Sequence, residues 1–139
     1  MTTARDIMTP QAYTVQESAS LVEAATLMRE HGVGALPVVS TDGVLVGIVT
    51  DRDIVVHGVA ALPDMGAVSV TSITSGIVST VQPDEEVERV VDVMGDQQIK
   101  RLVVVEGHEI LGVISESDLA RHVDEDKVVD FVQRVYGRG

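Results

Sequence analysis

Apolar residues recur at helical spacing in the first third of the chain. Leu21, Ala24 and Met28 lie three or four residues apart, which places them on one face of a helix. Ser20 and Glu23 have the Ser-x-x-Glu form of a capping box, and Gly32 is a residue suited to ending a helix. The pattern therefore predicts an amphipathic helix that begins after Ser20 and ends near Gly32.

Two short apolar runs follow this helix. Residues 36–39 and 44–49 are separated by Thr41-Asp42-Gly43, which is a turn signal, so the runs predict two strands joined by a hairpin. Thr50 or Asp51 then caps a second helix, which we expect to reach about Val59. With an entry strand near residue 15, this segment has the order β-α-β-β-α.

The same pattern occurs a second time, about 66 residues later. Pro83-Asp84 opens the helix of this second copy, residues 102–105 and 110–114 predict its strands, and Ser115 caps a helix that reaches about His122. The offset between the copies falls from 66 to 65 residues at the hairpin, because its loop is one residue shorter in the second copy. A repeat of this length predicts two copies of one unit that bury apolar surface against each other, with function in the cleft between them.

The repeat divides the chain into four segments. We expect the first copy at residues 4–60, a connection at 61–72, the second copy at 73–122 and a C-terminal helix at 123–139. Asp124 can cap that last helix, in which Val128, Val132 and Val135 share one face with Phe131 and Tyr136 beside them. We favour packing of this face on the body of the protein over a dimer contact.

Composition narrows the classes of function. The 139 residues include 22 Asp and Glu against 10 Lys and Arg, a net charge of −12 that repels nucleic acid and anionic lipid in the absence of a basic patch. The chain has no Cys, which excludes disulfides, thiolate zinc sites and cysteine nucleophiles. We see no signal peptide and no apolar stretch of the roughly 20 residues that span a bilayer. We therefore expect a soluble, cytoplasmic protein with no nucleic-acid or membrane partner.

Each copy ends its second strand with a Thr/Ser-x-x-Asp motif at the start of a helix. The hydroxyl residue (Thr50, Ser115) caps the helix, and the carboxylate (Asp53, Asp118) falls in its first turn. An ionised carboxylate only accepts hydrogen bonds, which suits it to vicinal hydroxyls such as a ribose diol. Helix-start N–H groups nearby suit phosphate. Both motifs are also consistent with helix caps alone, and the residues by themselves leave these interpretations open.

The motif and its surroundings resemble the CBS domain family. Gly-apolar-apolar-Thr/Ser-x-x-Asp follows residues 34–39 in one copy and 100–105 in the other, and the resemblance covers about residues 4–122. A tandem pair of such domains is called a Bateman module, and the chain is similar to stand-alone pairs from actinobacteria, including hypoxia-responsive ones. The resemblance implies a mixed α/β (α+β) fold in which two β-α-β-β-α repeats pack sheet to sheet about a pseudo-two-fold axis.

The resemblance also implies two clefts for adenosine ligands, with AMP, ADP or ATP expected and S-adenosylmethionine or NAD as further options. In the family the motif Asp takes the ribose, the Thr/Ser lies near the first phosphate, and the backbone of the preceding strand meets adenine. By position, one cleft would use Asp118, Ser115, Arg101 and Lys100, crossed by lead-in residues 4–9 with Met8 and Thr9. The other would use Asp53, Thr50, Arg52, Ala35 and Leu36, together with residues 73–76.

The two clefts are expected to differ in charge. Lys100-Arg101 stands where the first copy has Gly34-Ala35, so we expect the Asp118 cleft to prefer a phosphorylated nucleotide held by charge-assisted hydrogen bonds from Arg101. In the Asp53 cleft the only basic residue close by is Arg52. We expect this cleft to bind a ligand with fewer charges or to stay empty.

The sequence thus predicts a non-catalytic regulatory protein, expected to be a homodimer that acts on an effector protein the sequence does not identify. No cofactor is required in this interpretation. One alternative is a structural or interaction module with vestigial clefts. Another is a metal-binding stress protein that uses His57 and His122, which also occupy matching positions. An enzyme is the least favoured class, because nothing pairs a nucleophile with a base.

Overall fold

The structure is a computed structural model, and it describes residues 1–10, 13–61, 64–74 and 79–137. The chain forms two compact units. One contains residues 1–12 and 79–139, and the other contains residues 13–78. We refer to them as the Asp118 unit and the Asp53 unit, and to residues 2–10 and 68–74 as the first and second lead-ins.

The Asp53 unit follows the predicted order of elements. It contains β2 (Val15–Gln16), α2 (Leu21–His31), β3 (Ala35–Val39), β4 (Leu45–Thr50) and α3 (Asp51–Asp53), and the last of these continues as a π-helical segment at Ile54–Val59. Short 3-10 turns follow at Met65–Ala67 and Val70–Ser72. The three described strands form one sheet in the order β2-β3-β4, with β2 parallel and β4 antiparallel to β3.

The Asp118 unit has the same order with additions at both ends. Its elements are α1 (Ala4–Ile7), β1 (Thr9–Pro10), β5 (Thr80–Val81), α4 (Val87–Gln97), β6 (Arg101–Glu106), β7 (Glu109–Ser115), α5 (Glu116–His122) and α6 (Glu125–Tyr136). The sheet order is β1-β7-β6-β5. The predicted β-α-β-β-α repeat and the α/β fold class are therefore confirmed.

Local sequence explains most element boundaries. Ser20 accepts a hydrogen bond from the Glu23 N–H, and the Glu23 carboxylate accepts one from the Ser20 N–H, so the predicted capping box is present. Gly32 ends α2 with φ of 64°, a left-handed conformation that favours glycine. The prediction that Pro83-Asp84 opens the helix of the second copy is wrong. That helix begins at Val87 with Glu86 at its N-cap, because the backbone forms a turn at Pro83 and Asp84.

The two hairpins share one irregularity. The register shifts between Val38 and Val39 in one sheet and between Val104 and Val105 in the other, 66 residues apart. Past this point Val39 pairs with Leu45, whereas Val105 pairs with Ile110. The loop of the second hairpin is therefore one residue shorter, which places the change of offset between the repeats in this turn.

Each unit has its own apolar core between its sheet and its helices. In the Asp53 unit the core includes Leu21, Leu36, Val49 and Val70. The core of the Asp118 unit is larger and includes Ala4, Ile7, Val90, Met94, Leu102, Ile114, Leu119 and Phe131. Phe131 is 1% exposed, so α6 packs on the body of its own unit, as favoured from the sequence. The prediction that Val132 lies on the packed face is wrong, because Val132 forms an exposed strip of α6 with Val129 and Tyr136.

The lead-ins are exchanged between the repeats. In the Asp118 unit, the Ala4 N–H donates to the Glu85 carbonyl at 2.8 Å and the Val87 N–H donates to the Thr2 carbonyl at 3.0 Å. The Asp53 unit has the matching bonds, from Val70 to Ala19 and from Leu21 to Val68. Each lead-in therefore completes the unit built from the other repeat.

None of the helices in the described parts of the chain is both long enough and apolar enough to cross a membrane.

Candidate functional site

The Asp118 carboxylate is buried and accepts four hydrogen bonds. Its side chain is 3% exposed. Oδ2 accepts from the Ser115 N–H at 2.9 Å and from Ser115 Oγ at 3.1 Å. Oδ1 accepts from Thr9 Oγ1 at 2.9 Å and from the Arg121 guanidinium at 3.0 Å. The site therefore joins the end of β7, the first lead-in and helix α5 around one carboxylate.

Strand β1 brings Thr9 to this carboxylate. Thr9 pairs with Val113 and Pro10 with Gly112, so the lead-in lies along the last part of β7. A Cβ atom at Gly112 would lie 2.6 Å from the Thr9 carbonyl oxygen and 2.7 Å from Met8 Sδ. The close approach of the lead-in to β7 therefore depends on the missing side chain at Gly112.

Strand β6 places Arg101 next to the motif. Arg101 pairs with Ser115 across the ladder, and the next pair, Leu102 with Ile114, lies in the core. Because side chains alternate along a strand, Arg101 and Ser115 share the opposite face of the sheet. Lys100 comes directly before this strand, and its ammonium lies 4.7 Å from the centre of the Tyr136 ring.

The Asp53 motif has a simpler arrangement. The Thr50 N–H donates to Asp53 Oδ2 at 3.0 Å, and the Asp53 N–H donates to Thr50 Oγ1 at 3.1 Å, a reciprocal capping box. Asp53 is half-buried, and within the described ranges its Oδ1 accepts no hydrogen bond. Among the described residues, the bonds of Asp53 are those of a helix cap, whereas Asp118 has two further donors.

The remaining residues predicted for the Asp53 site are placed by β3 and α3. Ala35 pairs with Thr50, as Arg101 pairs with Ser115. The Leu36 side chain is fully buried in the core, so only its backbone is available to a ligand. Arg52 is exposed on α3, and Ile73 packs against the core of the same unit. Residues 75 and 76 of the predicted site lie outside the described residues.

Two residues near Asp118 were not predicted from the sequence. Arg121 lies one helical turn beyond Asp118, and a basic residue three positions after a motif carboxylate on a helix is a signal that could have identified it. Tyr136 contacts Lys100 from the end of α6, and no local sequence signal links positions 36 residues apart.

Comparison with known proteins identifies the family. The model of the CBS domain matches residues 4–59 and again residues 70–125. The chain belongs to the CBS domain family. It is a tandem CBS pair, as the motifs and the repeat predicted.

Among curated proteins, the chain is 38% identical over 135 residues to Hypoxic response protein 1 of Mycobacterium tuberculosis, covering 97% of this chain and 94% of that protein. A crystal structure of Hypoxic Response Protein I with two coordinated zinc ions is 37% identical, with a TM-score of 0.77 and coverage of 88% and 100%. The resemblance to stand-alone actinobacterial pairs is therefore confirmed.

Two further structures extend the comparison. The CBS domain pair of protein MJ0100, in complex with 5′-methylthioadenosine and S-adenosyl-L-methionine, is 29% identical with a TM-score of 0.77, covering 87% of this chain and 94% of that one. A hexameric CBS-CP12 protein from bloom-forming cyanobacteria is 32% identical with a TM-score of 0.81, covering 89% and 72%.

The metal-binding alternative has no ligand group in the parts of the chain that the structure describes. No group of three or more His, Asp or Glu side chains is arranged there to hold a metal ion. His57 and His122 are both exposed.

Proposed function

We propose that this CBS pair is a non-catalytic regulatory protein that binds an adenosine nucleotide at Asp118. The observation that carries the proposal is the buried Asp118 carboxylate, which accepts hydroxyl hydrogen bonds from Thr9 and Ser115 beside the cation Arg101. A carboxylate surrounded by hydroxyl donors is suited to a ribose diol, and guanidinium is suited to phosphate. The adenosine ligands of the MJ0100 pair support the same class of ligand.

In this proposal the residues have distinct roles. Asp118 accepts the ribose hydroxyls, Ser115 and Arg101 contact the first phosphate, and Lys100 adds a second cation. Met8 and Thr9 of the lead-in lie over the ligand. The Asp53 site, with Thr50, Arg52 and the backbone of Ala35 and Leu36, has fewer cations and takes a less charged adenosine ligand or none.

Binding at Asp118 would act on the lead-in. Oδ1 of Asp118 already accepts from Thr9 and Arg121, so a ribose hydroxyl must replace or rearrange at least one of these donors. In this proposal Thr9 is the donor that releases Asp118 when the ligand binds. It can shift the population only by its difference in affinity for the two arrangements. We propose that an effector protein recognises this change in the lead-in.

The test is calorimetric titration and thermal shift with adenosine, AMP, ADP, ATP, 5′-methylthioadenosine, S-adenosylmethionine and NAD. We expect AMP to bind and to raise Tm, since a ligand of the folded state alone stabilises it. Arg101→Ala should lower the affinity for AMP by about ten- to a hundredfold, the range for a charge-assisted hydrogen bond, and leave the affinity for adenosine unchanged. Arg29→Ala, which removes an exposed arginine of α2 in the other unit, is the control. If none of these compounds binds the wild type, the proposal is wrong.

The second candidate function is an interaction module that assembles through α6. It is favoured by the exposed strip of Val129, Val132 and Tyr136, which lies on a helix whose opposite side is packed. Light scattering decides between a homodimer and a monomer. If the chain is a dimer and binds no adenosine compound, and Val132→Asp makes it monomeric, assembly through α6 is the better description.

A further inference from the structure

Tyr136, at the end of α6, contacts two charged residues that flank the Asp118 motif. Its ring lies under the Lys100 ammonium, 4.7 Å from the nitrogen to the ring centre. Its hydroxyl donates to Glu116 Oε1 at 2.7 Å. Lys100 directly precedes Arg101, and Glu116 directly follows Ser115, so the phenol bridges the outer neighbours of the Arg101–Ser115 pair.

The two charges that share this tyrosine do not pair with each other. Within the described residues Lys100 has no carboxylate partner, and Glu116 has no cationic one. Tyr136 contacts both side chains, the ammonium with its ring and the carboxylate with its hydroxyl.

The last turn of α6 is held in place by polar contacts with α4. Arg134 forms ion pairs with Asp92 at 3.4 Å and Asp96 at 3.2 Å, and its carbonyl accepts from Gln98 Nε2 at 3.1 Å. Gln98 lies two residues before Lys100. The tyrosine is therefore fixed relative to the residues that lead into β6.

We propose that Tyr136 is a positioning residue of the nucleotide site. It keeps the Lys100 ammonium apart from the Glu116 carboxylate, so that this cation stays available to the phosphate of a ligand. The inference rests on the proposed function, since it assumes a phosphate near Ser115. It is specific to the second repeat, because Gly34 stands at the position of Lys100 in the first.

A double-mutant cycle tests the role. AMP and adenosine are titrated at low ionic strength into the wild type, Tyr136→Ala, Glu116→Gln and the double variant. Tyr136→Ala should lower the affinity for AMP by about two- to fivefold, the size of an exposed cation–π contact, and leave the affinity for adenosine unchanged. In the Glu116→Gln background the same substitution should have no effect on AMP, because no carboxylate remains to capture Lys100. Val132→Ala, on the same helix, should leave both affinities unchanged.

Each other result overturns the inference. An equal loss of AMP affinity in both backgrounds indicates that Tyr136 only stabilises α6. Equal losses for AMP and adenosine exclude a role in phosphate selection. If AMP binds and Arg101→Ala weakens it while Tyr136→Ala does not, this inference fails and the proposed function stands. If the wild type binds no adenosine compound, both fail.

Discussion

Asp118 and Asp53 occupy the same position in the repeat and have different surroundings. Both accept a hydrogen bond from the N–H of the hydroxyl residue three positions earlier. Asp118 is buried and also accepts from Thr9 and Arg121, whereas Asp53 is half-buried and its bonds to described residues are those of the capping box. The position of Arg121 is taken by Val56 in the first repeat, and that of Thr9 by residue 75, which is outside the described residues.

The difference shows that the motif fixes only the local helix start. A Thr/Ser-x-x-Asp segment forms reciprocal backbone and side-chain bonds wherever a strand leads into a helix. The further hydrogen bonds of the motif carboxylate depend on the residues of the next helical turn and of the lead-in. The helices themselves also differ, since α5 is an α-helix through His122 while α3 passes into a π-helical segment at Ile54.

The largest expected difference between the repeats concerns the carboxylates. We expect Asp118→Asn to lower the free energy of unfolding by about 2–4 kcal/mol, because the amide NH2 replaces one carboxylate oxygen, whose two donors lose their acceptor, and Arg121 loses its ion pair. Asp53→Asn should cost about 0.5–1 kcal/mol, the usual range for a cap. Urea denaturation of both variants measures the two changes in the free energy of unfolding. Equal changes would contradict the comparison of Asp118 with Asp53.

A second, smaller effect concerns the contact between the first lead-in and β7. We expect Gly112→Ala to cost about 1–3 kcal/mol, because its Cβ would meet the backbone oxygen of Thr9, which cannot move without breaking the β1–β7 pairing. Gly66→Ala is the control. Its Cβ would lie 3.5 Å from Asp64 Oδ1, an ordinary van der Waals contact, so its net effect should be close to zero. If thermal denaturation shows the same fall in Tm for both variants, the contact between the first lead-in and β7 contributes no more to stability than the control position.

The smallest effect concerns the tail helix, which only the Asp118 unit has. Lys127 Nζ donates to Glu88, and this hydrogen bond holds the pKa of the Glu88 carboxyl below its ordinary value. A depressed carboxyl pKa contributes stability that is present above the unfolded-state pKa and is lost as the pH falls through the folded-state value. Because both side chains are exposed, we expect a modest change.

Glu88→Gln tests this contact. The variant should be slightly less stable than the wild type at neutral pH and equal to it in strong acid, as followed by circular dichroism across an acid titration. Parallel stability curves for the two proteins would contradict the prediction. Val22, which stands at this position in the first repeat, has no charge to titrate.

Much of the fold followed from local sequence. The capping box at Ser20, the glycine stop at residue 32 and the buried apolar run of β6 are each determined by residues within a few positions of one another. The start of α4 was misplaced because Pro83 and Asp84 favour turns as readily as helix starts. The π-helical segment at Ile54–Val59 has no residue signature that separates it from an α-helix.

The site was less accessible to sequence reasoning. Position and family resemblance brought together Asp118, Ser115 and Arg101, because they are consecutive along one hairpin and the helix that follows it. The hydrogen bond from Thr9 joins residues 109 positions apart, and nothing in the local pattern encodes it. Tyr136 and Lys100 meet because α6 folds back along α4, where Phe131 is buried in the core and Arg134 forms an ion pair with Asp96.

The exchanged lead-ins limit how this protein can be divided. A fragment that ends before Val70 would lack the segment that fills its own apolar interior, and its free amino-terminal residues Ala4 and Ile7 would have lost the strands they normally cover. Two such fragments could fill both apolar interiors only if the lead-in of each fragment packed into the other fragment. Duplication within one polypeptide makes that mutual completion independent of concentration, and a half-length piece that keeps its own lead-in is residues 13–78 rather than residues 1–69.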